Sequence, residues 1–352
     1  MPLKTSPSKT QPLLLNYFSA GQVLLLLSLL LLGLMLLSLS LGRYDFAPLG
    51  TLAELLKAVG ILSGEANPVL MSILWDVRLP RVLAAMLIGA SLAISGAAFQ
   101  ALFMNPLVSP GILGVLSGAA FGASLGILLS DQLWVMQALT FVFGLAAVGM
   151  AMLLAKGELK QNMIILVLGG MITGALFAAL LSVIKYVADP YSKLPAITYW
   201  LMGSLANVSG DLLYWLVPFV LLGILLISIQ GHVLNVLSLG DDEARSLGIQ
   251  VEQKRLIIIL IATFLSALTV TLGGMIGWVG LVIPHIARLL LGADNRLLLP
   301  ASALLGASYL LLVDNLARLA LSIEIPLGIL TALIGLPVFA WALKHAKKGW
   351  HT

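Results

Sequence analysis

At 352 residues, 60% hydrophobic and only 10% charged, with a mean hydropathy of +1.09, the chain lies far outside the composition of a soluble globular protein. The absence of cysteine excludes disulfides, zinc–thiolate sites and thiol catalysis. The net charge of +4, from 19 basic against 15 acidic residues, goes with a bias of basic residues toward one membrane face and is no argument for nucleic acid.

Ten apolar runs have the length a helix needs to cross about 30 Å of hydrocarbon. They are residues 22–42, 81–103, 111–129, 133–155, 163–187, 212–230, 255–273, 275–292, 298–316 and 327–343. The expected fold is an all-α, polytopic membrane domain of ten spans over residues 1–352, with no room for a separate soluble domain. Residues 1–21 read as a cytoplasmic leader carrying Lys4 and Lys9, followed by an uncleaved first span. Between the first two spans, Thr51 to Leu62 has the spacing of a short helix lying on the membrane surface.

Arg78 and Arg81 bracket Leu79-Pro80 at the lip of the second span. Pro80 suits a first helical turn, so the span is expected to open there. The arginines alone are read either as interfacial anchors that snorkel to the surface or as a docking patch. Small residues then recur every fourth position: Gly89, Ala93, Ala97 and Ala101 in the second span, and Gly114, Gly118, Gly122 and Gly126 in the third. Such stripes let helix backbones approach closely in lipid. Leu107 to Pro110 (LVSP) is echoed by Leu281 to Pro284 (LVIP), five spans later and in the opposite direction, a faint sign of an inverted repeat.

Pro190 and Pro195 interrupt the chain after the fifth span, ahead of Tyr199, Trp200 and Met202. The most polar cytoplasmic segment, Gly231 to Arg255, is expected to form two short helices parted by Gly240 and stopped by Gly248. It is either a docking surface for a soluble partner or a solvated loop. His285, in the eighth span, is assigned to helix packing, since no nucleophile motif supports a hydrolase. Lys185, Arg288, Asp314 and Arg318 fall near span ends, which leaves the span centres without the relay that a proton- or sodium-driven carrier needs. No P-loop sequence is present, so any ATP must be bound by another polypeptide. With the N-terminus inside, twelve of the nineteen Lys and Arg residues are cytoplasmic, as are both termini.

Five segments carry a family resemblance: RLPR at Arg78 to Arg81, Gly89 to Val115, Leu239 to Ile249, Gly277 to Pro300 and Asp314 to Trp341. Together they resemble the FecCD-type permeases of bacterial ATP-driven importers of iron-siderophores, haem and vitamin B12. The resemblance implies a type II importer permease in the inner membrane. Its expected partners are a second permease copy (a homodimer), two ATP-binding-cassette subunits that hold ATP and magnesium, and an extracytoplasmic binding protein. This chain needs no cofactor of its own and is not an enzyme.

Carried onto this sequence, the resemblance makes Arg78, Arg81 and Arg318 the receptors for acidic residues of the binding protein. Asp241, Asp242, Glu243, Ala244, Arg245 and Gly248 become contacts to the ATPase within coupling helices at 232–249. Tyr199, Trp200 and Met202 belong to a short helix at the outer mouth, and Gln161 and Asn162 to a cytoplasmic gate. Ferric siderophore is the expected substrate, with haem, cobalamin or an oxyanion such as molybdate as relatives' cargoes. An ion-driven carrier or exporter is the competing reading. Charge reversal at Arg78 and Arg81 is expected to weaken docking and spare the fold.

Overall fold

The computed structural model describes residues 14, 17–42, 48–58, 61–63, 67–156, 163–208 and 210–346. These residues are mostly helical, with no strand among them. Seven helices are long and apolar enough to cross a membrane, and three shorter apolar helices stand where the remaining expected spans lie.

In chain order the helices are α1 (Ala20–Ser40), α2 (Pro48–Ala58), α3 (Pro68–Ser72), α4 (Leu79–Leu102), α5 (Val115–Leu129), α6 (Leu133–Leu154), α7 (Met163–Val187) and α8 (Lys193–Leu201). They continue with α9 (Gly210–Ser228), α10 (Gly231–Leu237), α11 (Asp241–Ser246), α12 (Val251–Gly273), α13 (Val279–Leu291), α14 (Asn295–Leu319) and α15 (Leu327–Ala346). Where a short helix is expected at 51–62, α2 is found at Pro48–Ala58, and Ile61 and Leu62 lie beyond it in non-helical chain.

The second span starts earlier than expected. Pro80 does not begin a helix; it lies inside one continuous run from Pro68 to Leu102, whose stretch Ile73–Arg78 is π-helical. Proline cannot donate a backbone bond. Just ahead of it the register has slipped, with the Leu79 N–H bonded to the Leu74 carbonyl. A π turn widens the helix and re-aims its side chains. Here Trp75 and Val77 are turned outward and Arg78 inward.

The centre of the bundle is α4, packed chiefly against α14, α12 and α13, while α5, α6 and α7 form a second group at its side. Small residues make the central crossings possible. A Cβ on Gly96 would lie 1.9 Å from the Gly280 carbonyl oxygen, and one on Gly89 would lie 2.2 Å from that of Gly306. The second stripe seats α5 on α6: Gly118 faces the Phe143 carbonyl, Gly122 that of Leu139, and Gly126 the backbone of Met136. Gly114 is the exception. It stands before α5 with a φ of 83°, closing a 3-10 turn, Pro110–Leu113, that rests on α7 at Gly170. Only glycine adopts that conformation without strain.

That turn removes the echo between Leu107–Pro110 and Leu281–Pro284. The first leads into a 3-10 turn, whereas the second lies within α13. The matching letters adopt unlike backbones.

At about 20 Å, α13 with its 13 residues is too short to span alone. The irregular chain before it, 274–278, is packed against protein: a Cβ on Gly274 would lie 2.6 Å from the Trp200 carbonyl oxygen, and one on Gly328 would lie 2.9 Å from that of Met275. Non-helical backbone is tolerated at membrane depth only when so enclosed. By contrast α1, α6, α7 and α9 present apolar side chains such as Leu29, Val142, Ile172 and Leu225 outward, as lipid-facing helices do.

Candidate functional site

Long-range polar contacts cluster at the two ends of the helices and sort those ends consistently. At one end lie the close of α1, the start of α4, the close of α14 and the loop before α15. At the other lie the α10–α11 segment, the close of α13 and the start of α14.

At the first end two of the three arginines, Arg81 and Arg318, converge on a fully buried carboxylate. Asp314, on the last turns of α14, has no exposed side-chain surface. It accepts from Arg81 Nε at 3.0 Å and pairs with Arg318 Nε at 3.1 Å. The two Nη atoms of Arg81 each donate to one oxygen of Glu324, both at 2.9 Å. This fork-to-fork pairing is the strongest geometry available to a guanidinium. Arg318 turns its Nη2 to the Ser38 hydroxyl and to Asn315, which also accepts from Ser38.

Arg78 lies deeper. It is 5% exposed, and its Nη1 donates to the carbonyls of Leu39 at 2.7 Å and Ser40 at 2.8 Å, two groups at the C-terminus of α1 without helical partners. Its guanidinium therefore caps α1 and joins that helix to α4. This corrects the expectation that charge reversal at Arg78 spares the fold: a carboxylate there would face two carbonyl oxygens.

At the opposite end the two expected short helices are present. Gly240, with a φ of 122°, separates α10 from α11, and Gly248, with a φ of 82°, follows α11. Asp241 is drawn back onto α12 by Arg255, whose two Nη atoms reach its carboxylate at 2.8 and 2.5 Å. Arg245 bonds to Glu252 at 3.0 Å and Asp242 at 3.1 Å, and the Glu252 carboxylate above all raises its pKa, keeping it charged. Ala244 is buried beneath the helix. The outward surface consists of Asp242, Glu243, Arg245 and Gly248, flanked by Leu239 and Leu247 at 63% and 62% exposure. These two leucines were legible only as ordinary apolar positions. Two exposed leucines thus stand on an otherwise polar projection.

The segment is tied to α14. Asn235 of α10 donates to Asp294 at 2.7 Å and accepts from the backbone and side chain of Asn295 at 2.8 and 2.9 Å. Asp294 caps α14, and the Arg296 guanidinium, helped by Asn235, holds its carboxyl far below the usual range. Because α14 runs about 37 Å over 25 residues, one helix joins this segment to the buried Asp314. Asn235→Ala removes three hydrogen bonds and is expected to cost about 1–3 kcal/mol, read as a lowered melting temperature and faster amide exchange confined to α10 and the start of α14.

Of the other expected residues, Tyr199 and Trp200 lie on α8 and Met202 directly follows it. Tyr199 is exposed, and the Met202 carbonyl accepts from the start of α15. A cavity of about 480 Å³, lined by Asp131, Gln132, Ser192 and Lys193 among others, opens between α8 and the α5–α6 turn, and none of the three arginines lines it. Gln161 and Asn162 fall outside the described residues. His285 is buried and meets Phe339 of α15 edge-on, at a ring separation of 6.2 Å, in keeping with packing. Among the described residues no cluster of His, Asp and Glu has the makings of a metal site.

The model of the FecCD transport family matches residues 29–345. The molybdate import system permease protein MolB of Haemophilus influenzae is 41% identical over 334 residues, covering 94% of this chain and 98% of that protein. The vitamin B12 import system permease protein BtuC of Escherichia coli O9:H4 is 40% identical over 282 residues, 78% of this chain and 84% of that one. Among solved structures, one described as an inward-facing conformation of a metal-chelate type ABC transporter superposes with a TM-score of 0.83 at 39% identity, over 92% of this chain and 99% of that one. With its bundle shared across nearly the whole length of that structure and the family model matched from the first span to the last, this chain belongs to the FecCD transport family and is an ABC transporter permease, not itself an enzyme.

Proposed function

We propose that this chain is the translocating subunit of a binding-protein-dependent importer in the bacterial inner membrane, with its arginine-bearing end outside and both termini in the cytoplasm. The observation that carries this reading is the polarity of the bundle: arginines gathered at one end, and at the other a short helix pair with exposed carboxylates and leucines, linked by α14. A binding protein with acidic side chains meets the first end through Arg81 and Arg318, while Arg78 holds α1 and α4 in register beneath them. Two ATP-binding subunits meet the second through Asp242, Glu243, Arg245, Leu239 and Leu247. Two copies of this chain enclose the pathway. Tyr199, Trp200 and Met202 are assigned to its outer mouth, and Gln161 and Asn162 to its cytoplasmic gate.

For the cargo, the end-to-end match to a molybdate permease favours an oxyanion. A metal chelate, whether ferric siderophore, haem or cobalamin, is the second reading, favoured by the match to a vitamin B12 permease and to a metal-chelate transporter. Calorimetry of the partner binding protein with molybdate and with ferric siderophores separates the two.

The test of the importer itself is reconstitution of the purified chain with its ATPase partner and binding protein in vesicles. Uptake should require all three components and vanish when the ATPase cannot hydrolyse ATP. Uptake by this chain alone under a proton or sodium gradient would replace the importer with a secondary carrier.

A further inference from the structure

Although Arg81 is well placed to receive an acidic partner, both arms of its fork are already occupied. Its Nε is committed to Asp314, which has no exposed side-chain surface, and its Nη atoms are committed to Glu324, whose side chain is 33% exposed. The two carboxylates therefore differ in kind. Asp314 cannot leave without stranding two buried guanidinium groups, whereas Glu324 lies at the rim.

The backbone around Glu324 fits this difference. It belongs to the non-helical link between α14 and α15, beside Leu321 and Ile323, which are 61% and 79% exposed. Immediately after it the chain is pinned, with Ile325 N–H bonded to the Ala317 carbonyl and Leu327 N–H to that of Gly203. The Glu324 side chain can thus swing outward by its own rotations while α15 stays in place.

We infer that Glu324 is an internal stand-in for the partner's carboxylate: docking exchanges an acidic side chain of the binding protein for Glu324 on the Nη face of Arg81, with exposed Leu321 and Ile323 as the apolar margin of that contact. This rests on the docking reading above. Exchange explains how a guanidinium only 11% exposed receives a partner at all. At no stage are the Arg81 Nη atoms left without an acceptor, so the cost of unmade, desolvated hydrogen bonds is not incurred. It also makes docking reversible, since the leaving partner is replaced by a tethered competitor. In the undocked permease the same contact masks the arginine from stray anions.

The experiment measures binding of the purified, substrate-loaded binding protein to the permease–ATPase complex in lipid nanodiscs, at 50 and 300 mM salt. Arg81→Lys keeps the charge beside Asp314 but loses the fork, and about tenfold weaker binding is expected. Glu324→Gln removes the competitor and is expected to tighten binding about three- to tenfold and to steepen its salt dependence, since the uncovered charge is then screened. Glu324→Asp, which keeps the charge and is the safer variant for folding, reaches less far and should tighten binding to a smaller extent.

Unchanged affinity in Arg81→Lys would remove the docking reading and the exchange with it. Weakened affinity in Arg81→Lys, together with unchanged or weaker binding in both Glu324 variants, would overturn the exchange alone and leave Glu324 as a positioning residue for Arg81.

Discussion

Alanine at Gly96 is expected to force α4 and α13 apart, since a Cβ there makes the shortest contact of any glycine among the described residues. The Cβ would stand 1.9 Å from the Gly280 carbonyl oxygen, 2.6 Å from its carbon and 2.7 Å from its Cα, all backbone atoms that no rotamer change can move. Since real Cβ contacts essentially never fall below 3.0 Å, α4 and α13 must part by about 1 Å along their seam. Alanine gains about 1 kcal/mol in helix propensity over glycine. Overpacking of this kind costs about 1–3 kcal/mol, occasionally more, and here the whole crossing shifts, so the loss prevails. The expected readout is a sharply lower yield of monodisperse protein in mild detergent, with a depressed melting temperature. Gly33→Ala and Gly149→Ala provide the contrast, because a Cβ at either position meets nothing within 4 Å. They should melt at or slightly above the parent temperature. Equal behaviour of all three variants would remove the claim that backbone contact at Gly96 and Gly280 sets the α4–α13 distance.

Asp314→Asn should be more damaging still, for an electrostatic reason. The carboxylate has no exposed surface and stands between Arg81 and Arg318, at 3.0 and 3.1 Å. Replacing it with an amide preserves shape but leaves two guanidinium groups facing one another with one charge uncompensated. Removing one member of a buried pair typically costs about 3–5 kcal/mol. Glu324→Gln, at the exposed rim of the same network, should cost about 1 kcal/mol or less, the range of surface pairs. The comparison is made by thermal melting in detergent. Adding Arg318→Gln to Asp314→Asn should recover part of the loss, because it removes the surplus charge. A double variant that melts below Asp314→Asn would mean that the bonds of Arg318 to Ser38 and Asn315 matter more than charge balance.

Much of this molecule is legible in one dimension, where the physics is local. Spans follow from the length and apolarity of single segments, and the short helices α10 and α11 follow from two glycines at the positive φ they adopt. That the three arginines share one end follows from the parity of the spans between them. Their partners are not legible in this way. Asp314 and Glu324 lie 233 and 243 residues from Arg81, and no periodicity joins groups so far apart. Glu324 stood in plain view within the segment from Asp314 to Trp341 without a role, because a carboxylate in a loop looks solvated until something closes on it. Arg78 and Arg81 are alike in sequence, two charges around Leu-Pro, and only the π turn before Pro80 decides that one is sealed inside and the other reaches the rim. Likewise Gly114 follows the four-residue period of its stripe and yet stands outside the helix, because the 3-10 turn ending there needs a left-handed residue.

By itself, then, the sequence determined the class of molecule, the position of its apolar segments and the shared end of the bundle on which the three arginines fall, since these depend on the cost of placing each residue in hydrocarbon. The tertiary structure alone decided which charges are spent on each other and which remain for a partner. That outcome depends on distances of a few ångströms between helices far apart in the chain, and Coulombic pairing and desolvation change steeply over that range.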